Sequence, residues 1–333
     1  MRREPLRGLA LFAALAAVVF VLPAFVNDFR AQQFAYVGIY LVALTGLNIL
    51  TGYAGQISLG HGAFMAIGGY TASILMIDHG VRDIATIPLA VVVAGIAGVL
   101  FGLPAARLSG LYLALATFAI AVAAPATIKR FEGFTGGGTG VNLFGIPELT
   151  ASATPLQLFG FELDFNNWIY YLSWTIAIAG YMLAWLILRG RTGRAFRAVR
   201  DSEIAAVSSG ISLTRTKVLA FGISAAYAGA AGALFAIATA FVNPDTFPVT
   251  LSIFLLVGIV VSGIGSLQGL VGGAVFIVFM PLWAQTVSKS PGAPFVVYGG
   301  VLIVVVLALP GGVAGLIASA RQLTRRRQNF PKP

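Results

Sequence analysis

An all-α, polytopic transmembrane bundle of about ten spans, some short or broken, is the fold this sequence predicts. Three observations predict it. Charged residues fill only 10% of the 333 positions, against about 25% in an ordinary soluble domain. Apolar residues make up 58%, and the mean hydropathy is +0.92, which leaves too few polar side chains to cover a soluble fold of this size. The basic residues gather in the loops that one membrane face would hold. Apolar and polar residues do not alternate as the strands of a polar-lumen barrel require, so the spans read as helices. The chain, 1–333, reads as one membrane domain.

The first apolar run, 9–26, follows Arg2, Arg3 and Arg7 and has the outline of a signal peptide. It carries no A-x-A cleavage pattern and many spans follow, so a retained first helix is expected. Runs at 34–51 and 57–77 come next, joined by the glycine-containing stretch Thr51–Gln56, and then 87–105 and 110–128. A polar loop over 129–167 follows, with the turn Thr135-Gly136-Gly137-Gly138-Thr139-Gly140 and room for a short surface helix or hairpin. The run 168–188 opens Trp168-Ile169-Tyr170-Tyr171, an aromatic start expected of a membrane-interface anchor. After a charged loop at 189–217 come 217–240, 250–262, 268–285 and 295–318, the middle pair interrupted at Ser262-Gly263-Ile264-Gly265-Ser266. A full crossing takes about 20 residues. The stretches around 34–77 and 250–285 therefore read as short, broken or re-entrant helices, which are tolerated at depth only where protein or a cavity satisfies the backbone.

Ten spans with both termini in the cytoplasm put 16 of the 21 basic residues on the inside face with only Glu4, Asp201 and Glu203 as acids. The outside then holds five basic residues and eight acidic ones. That asymmetry obeys the positive-inside rule and sets the orientation of a multi-pass membrane protein, with anionic membrane lipid as the bland partner of the basic blocks. The net charge of +10 is spread over membrane loops rather than a soluble basic domain, so no nucleic-acid partner is expected.

The chain has no cysteine, which removes disulfides, thiolate chemistry and cysteine-based metal sites, and two histidines are too few for a multi-histidine cluster. No G-x-x-x-x-G-K-S/T loop, H-E-x-x-H or G-x-S-x-G occurs, so no ATP site, catalytic residue, metal or cofactor is expected and the chain does not read as an enzyme. No Asp, Glu, Lys or Arg falls near the middle of a predicted span, which weakens ion-coupled transport and charged-ring channels. The densest polar group beside a span is Tyr53, Gln56, Ser58 and His61, set among Gly52, Gly55, Gly60 and Gly62. It fits tight helix packing, with the polar groups satisfying one another, and it also fits a translocation path. The small-residue runs Ala225–Gly232 and Gly269–Ala274 read as packing faces.

The loop at 189–217 is the most specific feature. Arg194, Arg197 and Arg200 recur at every third position and predict one basic flank. Asp201-Ser202 opens a short helix with Glu203 in its first turn, Gly210 stops it, and Ser212 or Thr214 caps the helix that follows. A short helix held between two spans, presenting mixed charge and small apolar residues, reads as a docking element, the alternative being a plain charged loop.

At this point the residues resemble a known family, the LivM-like permease subunits of high-affinity branched-chain amino-acid ABC transporters. The resemblance is carried by Leu44 through His61, by Gly102–Ala105 with Arg107–Ala114, by the Thr135–Gly140 turn, by Gly193–Gly210 followed by Lys217–Phe221, and by Leu309–Leu316. It implies a homologous second permease subunit, two cytoplasmic ABC ATPases and an extracytoplasmic substrate-binding protein, and import of leucine, isoleucine, valine, or of urea or short amides. It also implies that Glu203, Ala205, Ala206 and Gly210 belong to the ATPase-coupling segment, together with the basic flank; the chain departs at Val207-Ser208-Ser209, where alanine or leucine is more usual. The competing expectation is a stand-alone secondary carrier or facilitator for a small polar solute.

Overall fold

The computed structural model describes residues 27–150, 156–158, 161–287, 293–308 and 311–317, with the single positions 23 and 319. Helix α1 (Asp28–Leu47) runs on into π-type turns over Asn48–Tyr53. It is followed by α2 (His61–His79), α3 (Asp83–Ala105), α4 (Gly110–Arg130) and the single turn α5 (Glu132–Thr135). After the outer loop come α6 (Phe165–Arg189), α7 (Arg191–Asp201), α8 (Glu203–Ser208) and α9 (Leu213–Thr239). The last three are α10 (Val249–Ser262), α11 (Leu270–Val287) and α12 (Ala293–Ala308).

The chain is a helical, polytopic membrane protein, but the expected count of ten is corrected. Among the described residues, six helices are long and apolar enough to cross a membrane: Asp28–Tyr53, Asp83–Ala105, Gly110–Arg130, Phe165–Arg189, Leu213–Thr239 and Pro244–Ser262. The run 9–26 lies outside the described residues. The run at 57–77 becomes α2, which starts only at His61 and is diluted by Gly62, Gly68, Gly69, Tyr70, Thr71 and Ser73. The run 268–285 becomes an apolar helix of 18 residues, and the run 295–318 is matched by a helix of 16.

Two helices form the centre. The apolar windows of Asp28–Tyr53 and Leu213–Thr239 are 83% and 72% buried, whereas those of Asp83–Ala105 and Gly110–Arg130 are 28% and 22% buried and turn side chains such as Leu100, Leu111 and Leu115 outward. Outside a membrane those faces would be an unsolvable burden; in one they meet lipid. The small residues of α9 let α2 and α3 approach it closely. A Cβ at Gly232 would strike the Met65 carbonyl, and one at Gly98 would strike the Ala225 methyl, so the Ala225–Gly232 stretch is a packing face as read from sequence.

One end of the bundle is sealed by Asp83, whose carboxylate is fully buried. It accepts the Ile84 N–H at 2.8 Å, the Thr150 N–H at 3.2 Å, the Thr150 hydroxyl at 2.7 Å and the Trp168 indole N–H at 3.3 Å. Trp168, expected as an interface anchor, therefore also ties α6 to α3 and to the loop between α5 and α6. That loop carries both of the features foreseen for it, the turn α5 and a hairpin of β2 (Leu156–Leu158) with β3 (Phe161–Leu163). A second small pairing joins β1 (Val141–Asn142) to β4 (Phe241–Val242), and Lys129 pairs with Asp245 at 3.2 Å on the same end.

Candidate functional site

The expected break near Gly52 is real, and it reaches deep into the bundle. After the π-type turns the backbone leaves helical geometry at Ala54 and resumes it at His61. Gln56 N–H donates to the Leu50 carbonyl at 3.0 Å, and the Thr51 hydroxyl donates to the Gln56 carbonyl at 3.1 Å, folding the chain back on itself. The returning segment climbs beside α4, where Leu59 N–H donates to the Thr117 hydroxyl at 2.9 Å. His61 Nε2 lies 3.0 Å from the Ala43 carbonyl, and Gly62 N–H donates to the Ser252 hydroxyl at 2.9 Å. Ala43 sits ten residues before Tyr53, about 15 Å along the helix. Helix α2 thus begins inside the bundle, its amino end surrounded by α1, α4 and α10.

Of the four path candidates, Tyr53 is half-buried, Gln56 is 4% exposed, and Ser58 and His61 are fully buried. Ser58 accepts the Gly60 N–H at 3.3 Å and one nitrogen of His61 is engaged, so these two are satisfied by their neighbours at least in part. Gln56 is different. Neither its amide nitrogen nor its amide oxygen has a partner among the described residues, and the same holds for His61 Nδ1. An interior amide with both ends unpaired costs free energy unless water or a polar solute meets it.

The second interruption lies at the carboxyl end of α10, where Gly263 and Gly265 take positive φ of 97° and 76°. It packs directly on the first. The fully buried Asn48 side chain donates to the Ser266 carbonyl at 3.1 Å and accepts the Gly265 N–H at 3.0 Å. Asn48 entered the sequence reading only as one letter of a family string, because no local pattern marks a residue whose partners lie across the bundle.

Helices α7 and α8 meet this junction from the loop side. Phe196 and Val199 of α7 are buried, while the three arginines fan out: Arg194 points to solvent, Arg197 is half-buried, and Arg200 donates from Nη1 to the Gly52 carbonyl at 2.7 Å. Residues three apart on a helix drift by about 60°, so Arg194 and Arg200 stand roughly 120° apart and the single basic flank is corrected to a spread. Ser202 caps α8, its hydroxyl accepting the Ala205 N–H at 3.3 Å, and Gly210 at φ 80° follows its end, as expected. Ser212 takes the cap position of α9 without a side-chain bond.

On α8, Glu203 and Ala206 lie three apart on a face that turns inward at Ala206 and stays open at Glu203, whose side chain is 45% exposed. Glu203 pairs with Lys217 at 2.7 Å, and Ala206 is only 2% exposed. The outward face is carried by Ile204 and Val207, 83% and 53% exposed, with Ala205 and Gly210 also open. Sequence reasoning did not single out Ile204 and Val207 as this open face, although two apolar side chains spaced three apart in a charged loop were a usable signal.

The family profile described as "Branched-chain amino acid transport system / permease component" matches residues 29–307. The high-affinity branched-chain amino acid transport system permease protein LivM of Salmonella typhimurium is 33% identical over 290 residues, covering 83% of this chain and 67% of the relative. Its Escherichia coli counterpart is 32% identical over the same shares. The probable branched-chain amino acid transport permease protein LivM of Methanocaldococcus jannaschii is 22% identical over 332 residues, covering 86% of this chain and 93% of the relative. No solved structure matches significantly.

Proposed function

Because the chain belongs to the branched-chain amino acid transport permease family, we propose that it forms half of the membrane path of an ATP-driven importer. A homologous second permease completes the path, two cytoplasmic ABC ATPases dock on the α7–α8 segment, and an extracytoplasmic binding protein delivers the solute. In this reading the α7–α8 end faces the cytoplasm with both termini, the Asp83 end faces outward, and residues 9–26 add a further span. The solute is leucine, isoleucine or valine, with urea or short amides as the related alternatives.

The observation that carries the reading is Gln56, an interior amide with donor and acceptor both unpaired beside the buried start of α2. An amide offers one group of each kind to a zwitterion or to another amide, and the amino end of a helix favours a carboxylate. Tyr53, Ser58 and His61 line the same break and supply further polar atoms. No charge need be buried for such a path to pass a small polar solute, which agrees with spans empty of central charges.

The test is reconstitution of the chain with its partners in proteoliposomes. Uptake of leucine, isoleucine, valine, urea and short amides is measured with ATP, and again with a non-hydrolysable analogue. Uptake that needs hydrolysis supports the proposal, and its substrate order selects the solute. Equal uptake without partners or ATP would favour the stand-alone carrier.

A further inference from the structure

Arg200 stands at the one place where α7, the π-type end of α1 and the break after α10 converge. A helix end leaves its last carbonyls without partners in the helix, and a cation is favoured there. The Gly52 carbonyl is such a group, and Arg200 Nη1 supplies the donor at 2.7 Å from a different helix. The guanidinium is oriented by its neighbour, since Nε donates to Asp201 at 3.2 Å. Its aliphatic stem fits a notch with no side chain: a Cβ at Gly55 would come within 2.7 Å of Arg200 Cγ, and one at Gly265 within 3.1 Å of Nη1. Gly55 and Gly265 both have positive φ, 71° and 76°, so the backbone on either side is shaped for the absence of a side chain.

The polar contacts form a connected series. Arg200 lies two positions before Ser202, the cap of α8. Gly52 lies four positions after Asn48, which holds Gly265 and Ser266, and four before Gln56. Glu203 is held separately by Lys217, whose side chain is almost fully buried at the start of α9. Moving α8 therefore pulls on the end of the broken helix through Arg200 and on the central helix through Lys217.

We propose that Arg200 is a positioning residue that latches the cytoplasmic α7–α8 pair to the interrupted helix at Gly52, so that displacement of α8 resets the Ala54–Gly60 segment. The inference rests on the reading of α8 as the ATPase-docking element. π-Type turns concentrate at functional positions because they leave carbonyls to be claimed by an outside donor, and here the claimant belongs to the segment that would be moved. Lysine in place of arginine keeps the charge and one donor, but not the planar fork that serves Gly52 and Asp201 together.

The test uses the whole transporter, reconstituted with its ATPases and binding protein, with leucine as the probe solute. Arg200→Ala, Arg200→Gln and Arg200→Lys are compared by ATP hydrolysed per leucine imported, counted per assembled complex. Loss of a charge-assisted hydrogen bond predicts a ratio roughly tenfold higher for Arg200→Ala, with the ATPases still co-purifying. Arg200→Gln, which retains a neutral donor, and Arg200→Lys are expected in between. An unchanged ratio in Arg200→Ala overturns the latch, and so does loss of the ATPases from that variant, which would make Arg200 a docking contact. A fully normal Arg200→Lys beside a Gln variant as poor as Ala would also overturn it, since charge alone would then be at work. Ile204→Asp, on the outward face of α8, is run in parallel. If it leaves the ATPases bound and uptake intact, the docking reading itself has failed; if it releases them while Arg200→Ala is silent, only the latch has.

Discussion

Asn48 and Gly265 are 217 positions apart, yet the side-chain oxygen of one accepts the backbone N–H of the other at 3.0 Å. Asn48 uses both ends of its amide, since the Ser266 carbonyl takes its N–H at 3.1 Å. The two interruptions read from the sequence, after Leu47 and after Ser262, are therefore one structural feature closed by one side chain. Each break needs the other: the positive-φ turn at Gly263–Gly265 exposes backbone groups that Asn48 satisfies, and Asn48 is held on the π-type turns that the first break creates.

This closure predicts that Asn48→Leu destabilises the permease. A leucine of similar size leaves the half-buried Gly265 N–H and Ser266 carbonyl without that partner, at a cost of up to about 1 kcal/mol for each. Asn48→Asp keeps the acceptor for the Gly265 N–H and loses the donor to the Ser266 carbonyl. The thermal midpoint of the detergent-solubilised protein should fall for both. A midpoint unchanged in Asn48→Leu would show that the turn finds its partners elsewhere.

Gln56 is expected to behave in the opposite way. Its side-chain amide makes no bond among the described residues, so Gln56→Ala removes two unpaired groups and should leave abundance in the membrane near the parent level. Uptake should nevertheless fall, by roughly tenfold if one neutral or charge-assisted bond to the solute is lost. His61→Ala should lose uptake together with some abundance, because His61 also bonds the Ala43 carbonyl. Immunoblot abundance and radiolabelled uptake on the same vesicles check both. Parallel losses in Gln56→Ala would return the segment to a packing role.

Orientation is tested in a chain that has no cysteine of its own. Single cysteines at Thr192, in α7, and Thr139, beside the turn that precedes β1, should react with an impermeant thiol reagent from opposite faces. Thr139 sits in the loop that pairs with Phe241–Val242 at one end of the bundle, and Thr192 follows the opposite end of α6. Reaction of both from one face would reject the topology.

Features set by local chemistry were legible in advance. The cap at Ser202 and the left-handed stop at Gly210 depend on neighbours within a few residues, and both fall where composition placed them. The packing role of Ala225–Gly232 was legible because small residues in an apolar span have few other uses. The span count was not, since hydropathy runs on where helices stop: α2 waits for His61, four residues after its apolar run begins, because the chain first returns past Thr117. The direction of a face was also hidden. Periodicity put Glu203 and Ala206 together, but only Lys217, eleven residues beyond Ala206 and buried, decides that this face is turned inward.

That inward turn moves the docking prediction from Ala206 to Ile204. Ile204 and Val207 lie three apart on the open face of α8, where Ile204 is 83% exposed and no described residue covers it. Ile204→Asp should leave the fold intact, because the site touches no packed element. Against an ATPase surface the same carboxylate would be desolvated without a partner, at roughly 2–5 kcal/mol, enough to lower affinity by at least tenfold. The expected result is a permease of normal abundance and thermal midpoint that no longer retains its ATPases or supports uptake. Ala206→Asp should fail earlier, with a lowered midpoint, because its charge is forced into the contact between α8 and the bundle. If Ile204→Asp retains both ATPases and full uptake, α8 is not the coupling element, and a carrier that works without a motor becomes the better account of the fold.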